Sequence, residues 1–244
     1  MNESDWPPAP PADLNPDQIR AAVDWAIRSR RSVRAFRPDP VPRAVIEEIL
    51  EVAARAPSGV NTQPWQVWVV TGATRRKIAD AMMAAFDDPD RETKYRAEYS
   101  YYPESWTEPY LSRRRKIGWD LYGLLGIGKR DKEKMHAQHR RNFDFFGAPV
   151  GLFLTMDRIL AQGSWLDCGM FLQNLMIAAR GRGLDTCPQA AFIHFHSIIR
   201  KYLDIPDKQI LLCGLSLGYA DDEATENRLV TLREPVQGFT RFFD

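Results

Sequence analysis

Residues 28–37 read RSRRSVRAFR and place five arginines in ten positions. Arg30, Arg31 and Arg34 surround Ser32, so forked guanidinium donors and a hydroxyl group stand together where a predicted helix ends. This donor set suits a phosphate group, which accepts paired hydrogen bonds from guanidinium. A solvated basic face, or a helix C-terminus favoured by the helix dipole, is the alternative, although one or two charges suffice for that role.

The composition indicates that any anion site is local. The chain has 244 residues, of which 44% are hydrophobic and 27% are charged, as is typical of a globular protein. Its 33 basic and 32 acidic side chains nearly cancel. The broad positive surface of a nucleic-acid-binding protein is therefore not expected, and we predict no nucleic-acid partner.

The cysteines and the hydropathy pattern argue against disulfide-rich, metal-binding and membrane proteins. Cys168, Cys187 and Cys213 form no CxxC pair and are odd in number, which argues against a disulfide framework and against a metal cluster. No run of about 18 apolar residues occurs, and the N-terminus has no basic segment followed by an apolar one. We expect a cytoplasmic protein with no metal and no membrane partner.

Local signals predict a first set of elements. Residues 1–14 are rich in proline and are expected to form an extended arm. Asn15 is predicted to cap a helix that has Pro16 at its first position. A second helix is predicted in RAVIEEILEVAARA, then a strand in WQVWVVTG, then a helix in TRRKIADAMMAAF that is capped by Thr74.

Predicted strands and helices continue to alternate in the second half of the chain, after a segment of different composition. Residues 87–146 are charged and aromatic with weak periodicity, and are interpreted as a helical insertion. A buried strand is predicted in APVGLFLTMD, a long helix in SWLDCGMFLQNLMIAARGRGLD with a capping box at Ser164 and Asp167, and a strand in QILLCGLSLGYA. Interleaved strands and helices predict an α+β or α/β sandwich, with one domain over residues 15–244.

A second polar stretch, APSGVNTQPW at residues 56–65, follows the second helix. Pro57 and Gly59 fix a turn, which leaves Ser58, Asn61 and Gln63 to donate and accept hydrogen bonds on a polar heterocycle. A loop whose side chains only cap its own backbone is the alternative.

RRSVRAF and PSGVNTQPW occur in this order, and are followed by GRGLDTCPQAAF at residues 181–192 and by GYAD and NRLVTLREP within residues 218–235. Together these motifs resemble the FMN-dependent nitroreductase family. The insertion, with YYPESWTEPYLSRRRKIGWDLYGLLGIGKRD, is most similar to the nitrobenzoate and dinitroaniline reductases. The resemblance implies the family's fold, in which helices flank a central, mainly antiparallel sheet within an intertwined homodimer.

The resemblance also implies which residues bind FMN. The arginine-rich segment would hold the phosphate and ribityl chain, the PSGVNTQPW loop would reach the flavin of the other subunit, and the backbone after the long helix would donate to flavin N5 and O4. A C-terminal arginine would complete the phosphate site, with Arg228 as the alternative to Arg233. The implied residues are Arg30, Arg31, Ser32, Arg34, Pro57, Ser58, Asn61, Gln189, Ala190, Ala191 and Arg233.

The implied activity is reduction of small nitroaromatic, or quinone-like, compounds with NADPH or NADH in a ping-pong sequence. FMN carries this chemistry, so no catalytic side chain is expected. Two alternatives stay open, namely reductive dehalogenation of phenols and flavin binding without nitroreductase turnover. Arg113, Arg114 and Arg115 are candidates for a cation near flavin N1 and O2, or form a solvated basic face. The aromatic rings of the insertion either stack on a planar substrate or pack against one another.

Overall fold

The computed structural model describes residues 8–243, so half of the predicted N-terminal arm lies outside the described residues. The helices are α1 (Pro16–Ser29), α2 (Arg43–Ala53), α3 (Gly72–Asp87), α4 (Arg91–Lys94), α5 (Tyr110–Leu124), α6 (Lys132–Arg140), α7 (Gln162–Arg180), α8 (His196–Leu203) and α9 (Val236–Phe239). The strands are β1 (Gln66–Thr71), β2 (Val150–Asp157), β3 (Asp185–Gln189) and β4 (Gln209–Gly218). The division into an arm and one domain with an insertion stays a prediction.

The four strands form one antiparallel sheet in the order β1-β2-β4-β3. This arrangement confirms the predicted α+β fold with an antiparallel sheet. β2 is buried along nearly its whole length, as its continuous apolar run predicts. β1 and β3 are the edge strands. β1 pairs with β2 on one side only, so the backbone N–H and C=O groups on its other side are not paired within the sheet.

Two apolar clusters cover the two faces of this sheet. α2 and α7 bring Ile49 and Leu175 against one face, where they meet Leu152 of β2. α3 and α8 bring Met82 and Ile199 to the opposite face. Successive residues of β2 alternate between these clusters, because side chains along a strand point alternately to its two faces.

Aromatic rings fill the α3 face, and glycines make room for them. Phe145, Phe153 and Phe192 lie 4.9 to 5.7 Å apart between ring centroids, and none of the three is exposed. A Cβ atom at Gly214 would collide with the ring of Phe192, and one at Gly151 would collide with Phe145. The sheet therefore needs glycine at these two strand positions.

Most predicted element starts agree with the structure. The Asn15 side chain accepts from the Gln18 N–H at 2.9 Å, and the Gln18 side chain accepts from the Asn15 N–H at 2.9 Å, so the predicted cap of α1 is confirmed as a full capping box.

Two predicted caps are wrong. Thr74 lies inside the first turn of α3, because β1 runs directly into that helix through Gly72, whose φ of 53° makes the sharp turn. α7 begins at Gln162, so Ser164 is inside the helix rather than at its cap. Asp167 instead accepts a long-range hydrogen bond from the Gly59 N–H at 3.3 Å. β3 is an element that the sequence analysis did not predict.

The insertion at residues 87–146 contains α4, α5 and α6. Its first part is attached to the sheet, because the Tyr99 hydroxyl donates to the Leu212 carbonyl of β4. The Glu98 carboxylate accepts from Arg158 and Arg200, and these ion pairs lower the pKa of that carboxyl although partial burial opposes the shift. Over residues 8–243, no helix has both the length and the apolar composition that crossing a bilayer requires.

We expect Gly214→Ala to lower the free energy of unfolding by about 1–3 kcal/mol, because the added methyl group overpacks a fully buried ring cluster. Urea unfolding followed by circular dichroism measures this loss. Gly123→Ala is the matched control, since a Cβ there meets no atom within 4 Å and alanine favours the helix. An unchanged unfolding midpoint for Gly214→Ala would contradict the packing described here.

Candidate functional site

A cavity of about 280 Å³ lies where α1 ends, and we refer to it as the arginine cavity. Four of its lining side chains come from the arginine-rich segment, three from the chain after β4, and one from α5 of the insertion. The lining residues are Arg30, Arg31, Ser32, Arg34, Ile117, Leu229, Thr231 and Arg233. The structure thus brings all five residues that the sequence analysis assigned to a phosphate into one place, whereas Arg228 does not line this cavity.

The local fold explains why the arginines face the cavity. After α1 the chain becomes extended, and the Val33 N–H donates to the Thr186 carbonyl of β3 at 3.1 Å. Val33 and Ala35 are buried, whereas Ser32 and Arg34 lie at the cavity. This alternation is that of a strand, with one face in the core and the other at the site.

Asn227 joins the two segments that form the cavity. Its side-chain oxygen accepts from the Arg34 N–H at 2.8 Å, and its amide nitrogen donates to the carbonyls of Ala35 and Asp221, each at 2.8 Å. Asn227 is only 4% exposed. The sequence analysis missed this role, although Asn227 opens the motif NRLVTLREP that carries Arg233.

Positive charge is crowded in the cavity. Partial burial lowers the pKa of Arg30, and the nearby charge of Arg233 lowers it further. Like charges held together in this way are stabilised by an anion between them, and guanidinium pairs match phosphate oxygens. Arg31 is 3.5 Å from Asp222, which balances one of the charges at the rim. The donor set therefore fits the phosphate group that the sequence implies.

The three cysteines carry protonated thiols. Burial raises the pKa of Cys187 in β3 to about 11, although Arg34 and Arg30 oppose the shift. Burial raises the pKa of Cys168 to about 12 and that of the partly buried Cys213 to about 12. Because the thiolate is the reactive form, none of these groups is a nucleophile near neutral pH.

The PSGVNTQPW loop lies apart from the arginine cavity. Val60, Asn61 and Gln63 have φ angles of 44°, 59° and 47°, in the left-handed region that costs non-glycine residues energy. Several hydrogen bonds hold this shape, among them one from the Gln63 N–H to the Ser58 hydroxyl at 2.9 Å and one from the Gly59 N–H to Asp167. Val60 is 96% exposed at the tip.

Pro57, Ser58 and Asn61 are therefore not brought together with the arginines inside one chain, because none of them lines the arginine cavity. The loop nevertheless has a defined conformation while its tip projects outward. Backbone strain that is held by specific contacts is typical of a binding segment.

Gln189, Ala190 and Ala191 lie where β3 ends and a 3₁₀ turn begins. The Gln189 side chain is fully engaged, since it accepts from the Ser216 hydroxyl at 2.5 Å and donates to the Asn142 carbonyl at 2.8 Å. Because the Gln189 side chain is committed to these partners, the predicted role of residues 189–191 as backbone donors stays a prediction. β3 connects these residues to the arginine segment at Thr186, three residues or about 10 Å away along the strand.

Comparisons with known proteins find similar chains over most of this sequence. A family model described as Nitroreductase family matches residues 27–219. A 4-nitrobenzoate reductase of Pseudomonas putida is 45% identical over 90% of this chain and 94% of its own length.

Two solved structures are also similar. The FMN and NADPH-dependent nitroreductase NfnB of Sphigopyxis sp. strain HMH superposes with a TM-score of 0.87 at 42% identity, covering 91% of this chain and 99% of that one. The FMN-dependent NfnB of Mycobacterium smegmatis, solved in complex with NADPH, has a TM-score of 0.87 at 33% identity, covering 93% and 100%.

We expect Asn227→Ala to lower the free energy of unfolding by about 1–3 kcal/mol, because it leaves the Arg34 N–H and the Ala35 carbonyl without their buried partner. Urea unfolding measures the loss. Replacing the exposed neighbour, Arg228→Ala, is the control and should stay within about 0.5 kcal/mol of the wild type. Equal stability of the two variants would show that Asn227 does not join the segments.

Proposed function

Because the chain belongs to the nitroreductase family, we propose that it is an FMN-dependent oxidoreductase that reduces small nitroaromatic compounds with NADPH or NADH. The observation that carries this proposal is the meeting of Arg30, Arg31, Ser32, Arg34 and Arg233 in one cavity. The relatives support the choice of cofactor and substrate class, because their names specify FMN, NADPH and 4-nitrobenzoate.

The arginines and Ser32 would hold the phosphate and ribityl chain of FMN, with charge-assisted hydrogen bonds to the phosphate. When bound, FMN supplies hydride acceptance and donation at N5, so the chain needs no nucleophile of its own. The backbone N–H groups of residues 189–191 would orient the ring system. Their positions are fixed in advance because Ser216 and Asn142 hold the Gln189 side chain.

We propose that the active form is a homodimer. The arginine cavity, at about 280 Å³, lies just below the range of about 300–1,000 Å³ that ligand pockets occupy, so one chain would enclose only part of a flavin. The PSGVNTQPW loop of the partner subunit would complete the site.

Exposed apolar groups support the same assembly. Val23, Trp25 and Ile27 of α1 are each about half exposed, and Phe239, Phe242 and Phe243 of the C-terminal tail are 69–92% exposed. An open groove of about 840 Å³ runs between α2 and the free edge of β1, and would receive apolar residues of a second chain. The cytoplasmic location expected from the sequence stays a prediction.

An anaerobic absorbance titration tests the proposed activity. The purified protein should show a flavin spectrum that NADPH or NADH bleaches and that 4-nitrobenzoate then restores. Bound flavin that neither donor bleaches would favour flavin binding without turnover. Bleaching that a halogenated phenol reverses, but a nitroaromatic does not, would favour reductive dehalogenation.

We expect Arg30→Ala combined with Arg233→Ala to yield colourless protein, since each charged hydrogen bond to phosphate contributes about 1.5–3 kcal/mol. Flavin content is measured by absorbance after extensive dialysis. The paired replacement of the exposed Lys201 and Lys208, which lie outside both the arginine cavity and the groove beside α2, is the charge-matched control and should retain flavin. A double cavity variant with full flavin content would refute the phosphate assignment.

Light scattering tests the dimer. We expect the mass of two chains for the holoprotein, because the loop at residues 57–63 needs a second subunit to meet a flavin. Val60→Asp places a charge at the exposed tip of that loop and should weaken flavin binding without lowering the stability of the fold. A flavin-loaded monomer would contradict the two-subunit site.

A further inference from the structure

The outer wall of the arginine cavity comes from the insertion. Ile117 lies near the middle of α5 and lines the cavity beside Leu229 and Thr231. α5 also packs against the turn at residues 225–228, which precedes the segment that carries Arg233. One helix of the insertion thus borders both the cavity and the chain that completes it.

A second contact ties α5 to the C-terminal segment. The Arg113 guanidinium donates to the Glu234 carboxylate at 2.5 Å, joining residues 121 positions apart. Arg113 and Ile117 are four residues apart and share one face of α5, so the ion pair and the cavity wall lie on the same side of the helix. The Glu234 side chain is confined on its other side, because a Cβ atom at Gly238 would collide with it.

Arg233 itself has only local support. Its guanidinium donates to the Thr231 hydroxyl at 2.8 Å and to the carbonyls of Thr231 and Leu232, all within its own segment. Residues 229–235 have no regular secondary structure, and Val230 and Leu232 are each 80% exposed. Asn227 fixes this segment before Arg233, and the pair of Arg113 with Glu234 fixes it directly after.

We propose that the Arg113–Glu234 ion pair is a latch through which the insertion holds Arg233 over the cofactor phosphate. This inference rests on the proposed function, because the phosphate belongs to FMN. Arg113 and Glu234 are positioning residues that act through Arg233. α5 thereby serves to retain the cofactor, and opening the latch increases the rate at which FMN leaves.

The expected effect is modest, because both partners are about half exposed to solvent. Exposed ion pairs are weak, and breaking this one should raise the dissociation rate of FMN about two- to five-fold. The effect should shrink in 1 M salt, where surface charges are screened. Riboflavin lacks the phosphate that Arg233 would hold, so its affinity should not change.

The test measures FMN release from the holoprotein by the rise in flavin fluorescence. The holoprotein is diluted with an excess of a non-fluorescent competitor that binds the apoprotein, so that released FMN does not rebind. Riboflavin affinity is measured in parallel. Arg113→Glu and Glu234→Arg should each release FMN faster. The double variant, in which the charges are exchanged, should return to within two-fold of the wild type. Lys116→Glu is the matched control, because it makes the same charge change on α5 but its ion pair, with Asp120, lies within the helix.

Several outcomes would overturn the latch while leaving the proposed function intact. Wild-type release rates in both single variants would do so. A double variant that stays fast would indicate that Arg113 contacts the cofactor directly, and an equal effect of Lys116→Glu would indicate a general charge effect. An equal loss of riboflavin affinity would indicate general loosening of the site. A wild type that binds no FMN would overturn both the proposed function and the latch.

Discussion

Repulsion between guanidinium groups is the constraint on which the site depends. Arg30 and Arg233 come from opposite ends of the chain, and partial burial together with the nearby charge of Arg233 lowers the pKa of Arg30. The fold holds their segments in place through the backbone pairing of Val33 with Thr186, the three hydrogen bonds of Asn227 and the ion pair of Arg113 with Glu234. Because an anion in the cavity would relieve the repulsion between these guanidinium groups, the cavity is well suited to bind an anion tightly.

The sheet supplies the rigidity that this arrangement needs. β3 carries the bridge to the arginine segment at one end and Gln189 at the other, and it is paired along its length with β4. β4 in turn has a glycine where the ring of Phe192 packs against it. The aromatic core and the backbone at Gln189 therefore share one strand pair, since Gly214 both pairs with Gln189 and packs against Phe192.

Local chemistry allowed much of this fold to be predicted. The Asn15 cap and the continuous apolar run of β2 depend on neighbouring residues, and both agree with the structure. The caps at Thr74 and Ser164 failed because a turn at Gly72 and an earlier start of α7 moved the helix ends. β3 escaped prediction because DTCPQ has no alternation and contains a proline, and it is a strand through its pairing with β4. The site was less predictable than the fold. Arg30 and Arg233 are too far apart in the sequence for any local pattern to predict their contact, so their meeting was expected only from the resemblance to a family. The role of Asn227 requires tertiary structure to be seen.

Burial keeps the cysteine thiols protonated, which affects how they react with the products of nitro-group reduction. Partial reduction of a nitro group gives nitroso compounds, which are electrophiles that combine with thiolates. Cys168, Cys187 and Cys213 are all held as neutral thiols, with pKa values of about 11 to 12, and two of them are fully buried. Since the thiolate is the form that attacks electrophiles, burial lowers the reactivity of these three side chains toward such products.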